Sequence, residues 1–137
     1  MKIDYNLVYR GKWEIIPNER NKTWIVKETF TVKTSFGDIT IPKGFEHDRF
    51  TFAPDLKHSE VAAIVHDYLI EEKPRFDNGT FCTRKQADQI LKELILKSKD
   101  YHWAYVYYYG VRFWAVFRGI DFKTPEEWEE IRRNKKQ

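Results

Sequence analysis

The hydrophobic repeat changes period once along this chain, from two to 3.6, and that change restricts the fold more than any single motif. From Trp24 to Lys33, Trp24, Val26, Glu28, Phe30 and Val32 fall on one side and Ile25, Lys27, Thr29, Thr31 and Lys33 on the other. Such alternation predicts one long strand with a buried face, on which Glu28 is the misfit. Beyond Asp55 the spacing is helical. Ser59 is placed to cap a helix whose apolar arc is Val61, Ile64, Val65, Tyr68 and Leu69. Thr83 with Gln86 forms a capping box ahead of Ala87, Ile90, Leu91, Leu94 and Ile95, a clear amphipathic helix. Strands first and helices after predict an α+β fold, with an N-terminal antiparallel β-sheet of about four strands packed against three to four C-terminal α-helices.

The remaining segments fit that frame. Tyr5 to Tyr9 and Trp13 to Ile16 read as two short strands joined by a hairpin at Arg10-Gly11-Lys12, and Pro17 to Lys22 is a turn cluster. Phe36-Gly37-Asp38 turns the chain into a strand ending near Pro42, and Gly44 follows where a bulge or a positive φ is expected. Tyr101 to Arg118 is apolar nearly all round except near Arg112, which predicts a central helix or one lying under the sheet. Thr124 and Pro125 open a last helix that ends in a fraying basic tail. The 137 residues are expected to form one domain, with strands mainly in 1–43, a loop in 44–55 and helices mainly in 56–137.

Composition removes several function classes. The 24 basic and 21 acidic residues are intermixed, leaving a net charge of +3 and no strong field for nucleic acid. Cys82 is the only cysteine, so an internal disulfide is excluded and a reducing cytoplasm is expected. Its place just before a helix start would lower its pKa, but no partner base lies nearby in sequence. The most apolar stretch, Tyr101 to Phe117, is about a turn short of the roughly 20 residues a membrane span needs, and it carries Arg112 and His102. Glycine-rich phosphate loops, zincin, nucleophile-elbow and zinc-finger spacings are all missing.

Residues able to hold a metal or move a proton occur at three separated points: His47-Asp48 after a strand, His66-Asp67 in a helix and Asp88 in the next helix. The runs that hold them are Ile41-Pro42-Lys43-Gly44-Phe45-Glu46-His47-Asp48-Arg49-Phe50-Thr51, Val61-Ala62-Ala63-Ile64-Val65-His66-Asp67-Tyr68-Leu69 and Ala87-Asp88. Together they resemble DUF1353, a family of small phage and prophage proteins without an assigned function. The resemblance covers roughly residues 23–118 and is sharpest at Gly44-Phe45-x-x-Asp48 and His66-Asp67-x-Leu69. It implies a fold envelope, a site at these residues and, for a phage-encoded protein, a place in the host cytoplasm or the virion.

Two readings of those residues stand side by side. In the first, Asp48, His66, Asp67 and Asp88 form a nitrogen and oxygen site for a divalent metal such as Zn, Mn or Mg, which activates water in a hydrolase-like reaction. The HD phosphohydrolase superfamily is excluded on spacing, since Asp88 is only 21 residues past Asp67 and the upstream His47-Asp48 pair is not helical. In the second, Asp88 pairs with Lys92 in solvent, His66 is a hydrogen-bonded core histidine and Asp48 caps a turn. The protein is then a non-enzymatic accessory protein. It meets a protein partner, or another copy of itself, through aromatic residues of the 101–117 helix. Packing is the commoner use of such rings, yet one helix face cannot bury them all, so some of Tyr105, Tyr108, Tyr109 and Phe113 are expected to lie exposed together.

Overall fold

The computed structural model describes residues 9–10, 15–18, 23–47 and 60–135. Among the described residues the fold is α+β, with small antiparallel sheets and four helices. Strands β1 (Tyr9–Arg10), β4 (Phe30–Thr34) and β5 (Gly37–Ile41) make one three-stranded sheet in the order β1-β4-β5. A second, in the order β2-β3-β6, holds β2 (Ile15–Asn18), β3 (Thr23–Val26) and β6 (Glu46–His47). All pairings are antiparallel. The expected single sheet of about four strands is thus two sheets. The long strand over Trp24 to Lys33 is broken, and its two halves lie in different sheets. Glu28 is the cause: a charged side chain on the buried face cannot be desolvated cheaply, and the chain bends there with Glu28 exposed while Val26, Phe30 and Val32 stay buried.

The expected hairpin across Arg10-Gly11-Lys12 also differs. β1 pairs with β4, Tyr9 opposite Val32, while β2 pairs with β3, Ile15 opposite Val26. The loop expected over 44–55 begins with a strand, since Glu46 and His47 pair with Ile25 and Trp24. Gly44 makes this possible. Its φ of +92° is a conformation that side-chain-bearing residues rarely adopt, and it lets Gly44 N donate to Val26 O (2.8 Å) before Val26 N donates back to Phe45 O (2.9 Å). Phe45 then packs edge-on against Tyr68 at 5.3 Å between centroids, tying this turn to the first helix.

Helix α1 (Glu60–Glu71), α2 (Arg84–Leu96), α3 (Ala104–Phe117) and α4 (Pro125–Lys135) follow, with a 3-10 turn at Tyr101–Trp103. The expected caps of α2 and α4 form. Thr83 Oγ1 accepts from Gln86 N (3.1 Å), Gln86 Oε1 accepts from Thr83 N (3.0 Å), and Thr124 Oγ1 accepts from Glu127 N (3.1 Å). Ser59 lies outside the described residues, as do most of the first expected strands. The core joins Val26, Phe30, Val32, Ile39 and Ile41 of the sheets to Ile64, Val65 and Leu69 of α1 and Ile90, Leu91 and Ile95 of α2. Each fully buried aliphatic or aromatic side chain of this kind contributes about 1.5–3 kcal/mol.

The layer order differs from expectation at α3. The central helix is α2, which packs on α1 and β4 on one side and α3 on the other. The reason lies in side-chain size. The buried row of α3 is Ala104, Tyr107, Val111 and Ala115, mostly small residues that allow close approach to α2, so the larger rings project the other way.

Candidate functional site

Asp88 lies between Ala87 and Leu91 on the face of α2 that turns into the molecule, and its side chain is fully buried. A lone carboxylate there would cost several kcal/mol, and the fold surrounds it with donors. Asp88 Oδ1 lies 2.6 Å from His66 Nε2 and accepts from Arg84 Nε at 3.0 Å, while Asp88 Oδ2 accepts from Arg112 Nη1 at 3.0 Å. Arg112 in turn grips Asp121 through both terminal nitrogens, at 3.1 and 3.0 Å. Three helices therefore meet at one carboxylate, and the segment after α3 joins them through Arg112. Two guanidinium groups balance two carboxylates, and His66 completes the cluster.

The electrostatics follow from that arrangement. Burial pushes the Asp88 carboxyl up, but the hydrogen bond of His66 and the charge and hydrogen bond of the Arg84 guanidinium outweigh it and hold the group below its usual range. Asp88 is therefore ionised. Burial is the largest influence on His66 and lowers its pKa against the pull of Asp88, so the ring is neutral near pH 7. A neutral ring facing an ionised carboxylate carries its proton on Nε2, which leaves the lone pair on Nδ1. Carboxylate and histidine are thus arranged as in dyads that orient an imidazole for proton transfer or metal binding. Only a sliver of His66, 7 %, reaches solvent.

Of the four residues read from the sequence, the structure brings His66 and Asp88 into direct contact. Asp67 is half-buried on α1, and Asp48 lies outside the described residues. The pairing of Asp88 with Lys92 in solvent, which belonged to the second reading, does not occur. Asp88 points inward to Arg84, one turn earlier, and Lys92 lies over the rings of Tyr108 (4.7 Å) and Tyr105 (5.3 Å). Among the described residues no group of three or more His, Cys, Asp or Glu side chains could hold a metal ion. Asp88 itself does not fit that role, since both oxygens are directed at cationic or N–H donors. Cys82 is buried and its thiol is pushed up to about 12 by desolvation first and the Asp88 charge second, the reverse of the lowering expected from a helix start.

Arg84, Arg112 and Asp121 were missed from sequence. Arg84 stands four residues before Asp88, a spacing that pairs side chains on a helix. Arg112 is the only charged residue within α3, and a charge in so apolar a helix needs a partner. Nothing in the sequence marks Asp121.

The second feature is the outer face of α3. At about 100° per residue, Tyr105, Val106, Tyr109, Phe113, Val116 and Phe117 span roughly 120° of arc. That arc lies opposite the buried row, and the six are 53–70 % exposed. Tyr105, Tyr109 and Phe113 lie exposed together as expected, while Tyr108 is half-buried under Lys92. Gly110, on the same side, has open space where a Cβ would stand. Among the described residues no helix is long and apolar enough to cross a membrane.

The family described as "Protein of unknown function (DUF1353)" matches residues 24–111. The chain belongs to that family. The DUF1353 match holds Asp48, His66, Asp67, Arg84 and Asp88, while Arg112, Asp121 and the C-terminal half of the α3 face follow it. No curated protein and no solved structure matches the chain.

Proposed function

We propose that this DUF1353 protein is a non-enzymatic accessory protein, of phage or prophage origin, that docks a protein partner on the outer face of α3. The observation that carries the reading is the contiguous apolar face from Tyr105 to Phe117. Such patches on a monomer rarely exceed a few hundred Å², and larger ones mark interaction surfaces. Rings and aliphatic side chains exposed to this degree offer on the order of 800 Å², the share one partner contributes to a standard interface. Cations lie beside the face, Lys92 over Tyr105 and Arg118 over Trp114, and no acidic side chain stands within α3. The complementary surface is an amphipathic helix with an apolar stripe and an acidic rim. In this reading the Asp88 cluster locks α1, α2 and α3 together, so that the face is presented rigidly.

The test uses two designed helical peptides with the same apolar stripe, one acidic and one basic at the rim, with binding followed by fluorescence anisotropy. The acidic peptide should bind, and Tyr109→Glu and Phe113→Glu should each abolish binding. Equal binding of both peptides overturns the proposal. So does a wild type that forms a dimer on dilution analysis and turns monomeric in Tyr109→Glu, since the occupant is then a second copy.

The His66–Asp88 geometry favours a second reading, a hydrolase-like site in which Asp88 orients His66 and a proton or a divalent metal is taken at Nδ1. Asp67 and Asp48 would supply the oxygen ligands, and Asp88 would be a positioning residue. Calorimetric titration with Zn²⁺, Mn²⁺ and Mg²⁺ decides this: stoichiometric uptake lost in Asp48→Ala supports the site, and no uptake by the wild type retires its metal form.

A further inference from the structure

The ends of α1 and α3, the start of α2 and the length of α4 line a groove of about 940 Å³ that meets the Asp88 cluster only at Arg84. Its floor is apolar, with Ile70, Phe122 and Ile131, and two indoles, Trp114 and Trp128, line it. Four cationic side chains, Arg84, Arg118, Arg132 and Lys135, stand around it against two acidic ones, Glu71 and Glu72. Lys135 is 3.9 Å from Glu71, so that pair partly neutralises itself.

The arginines are arranged for an anion. Arg118 lies over the Trp114 ring at 4.8 Å and Arg132 over the Trp128 ring at 5.0 Å. A guanidinium held over a ring by cation–π attraction makes no N–H bond to an acceptor there and so keeps its donors available, while the contact restrains a side chain that would otherwise lose much rotamer freedom on binding. Arg84 is 4 % exposed and sits on the groove wall. Its Nε donates to Asp88, and among the described residues its two terminal amino groups have no acceptor. A buried guanidinium with donors left over needs an acceptor.

We infer that this groove binds a small organic phosphate with a flat aromatic body, the class to which nucleoside monophosphates belong. The phosphate takes the in-plane donors of the arginines, for which a tetrahedral dianion is the best-matched acceptor. The aromatic body stacks against a guanidinium or indole over the apolar floor. Glu72, on the rim, disfavours ligands that carry more negative charge than the arginines neutralise. The inference does not rest on the docking role of α3, although Arg118 and Trp114 border both surfaces.

Adenosine 5′-monophosphate, adenosine and inorganic phosphate serve as probes, followed by tryptophan fluorescence and by calorimetry on the full chain. The monophosphate should saturate, and each fragment should bind at least about tenfold more weakly, since either half of the site alone is used. Arg118→Gln and Arg132→Gln, both at accessible positions, should each weaken the monophosphate roughly tenfold by removing charge-assisted hydrogen bonds. Their melting temperatures should stay near that of the wild type, and Tyr109→Glu should bind the monophosphate normally. Three results overturn the inference: no saturable signal with the monophosphate, inorganic phosphate binding as tightly as the monophosphate, or both arginine variants binding like the wild type.

Discussion

Asp88 is the residue on which the helical half depends. Its carboxylate accepts from Arg84 Nε and bonds His66 directly, and it shares Arg112 with Asp121. Replacing it by Ala leaves a buried guanidinium without its counter-ion. The expected cost is about 3 kcal/mol or more, or roughly 10 °C in Tm for a chain of this size. Asp121→Ala should cost less, because its side chain is partly solvated and Arg112 keeps Asp88. Thermal melts of the two variants rank them, and equal shifts would contradict a hierarchy centred on Asp88. His66 is a lesser member: its loss removes one hydrogen bond to a carboxylate that retains two guanidinium partners.

At the scale of elements, α3 has two jobs on opposite faces. The row Ala104, Tyr107, Val111 and Ala115 holds it to α2, and the opposite arc is largely exposed, touched from α2 by Lys92 over Tyr105. Substitutions on the two sides should therefore behave differently. Tyr109→Glu and Phe113→Glu should change stability by less than about 0.5 kcal/mol, as exposed positions do. Ala115→Phe should destabilise the protein by about 1–3 kcal/mol through overpacking against α2. Chemical denaturation of the three variants checks this. A large loss for Tyr109→Glu would mean that the ring contributes to packing that the exposed face does not reveal. The break between β3 and β4 is also an element-scale effect. One glutamate in a row of buried apolar positions was enough to end a strand and divide the sheet.

For the whole molecule, the ionisable core sets how stability responds to pH. His66 has a lowered pKa in the folded state relative to its ordinary 6.5. Below 6.5 the unfolded chain therefore takes up a proton that the folded chain resists, and folding stability falls as pH drops. Asp88 acts in the same direction at lower pH. Its folded pKa lies below the ordinary 3.8, so its contribution is present above that value and is lost as pH falls through the folded pKa. Urea unfolding from pH 7.5 to 5 should show a declining stability, and His66→Gln should flatten that decline. An unchanged slope in the variant would mean that another group governs the response.

The amino-acid sequence by itself determined the order of strands and helices, the Thr83–Gln86 and Thr124 caps, the special conformation at Gly44 and the exposure of part of the α3 aromatic row. All of these are local: a cap, a turn or a periodic face depends on residues a few positions apart, and the side chains that decide it are adjacent on the page. Family membership was legible for the same reason, from three short runs. The tertiary structure alone decided that β1 pairs with β4, that α2 is central, and that Asp88 turns inward to His66 and Arg112 instead of outward to Lys92. Those outcomes rest on residues 22 and 24 positions away from Asp88, and on which helix has a row small enough to approach its neighbour. Such choices are made by competition among distant partners for one buried place, and periodicity carries no record of which partner wins.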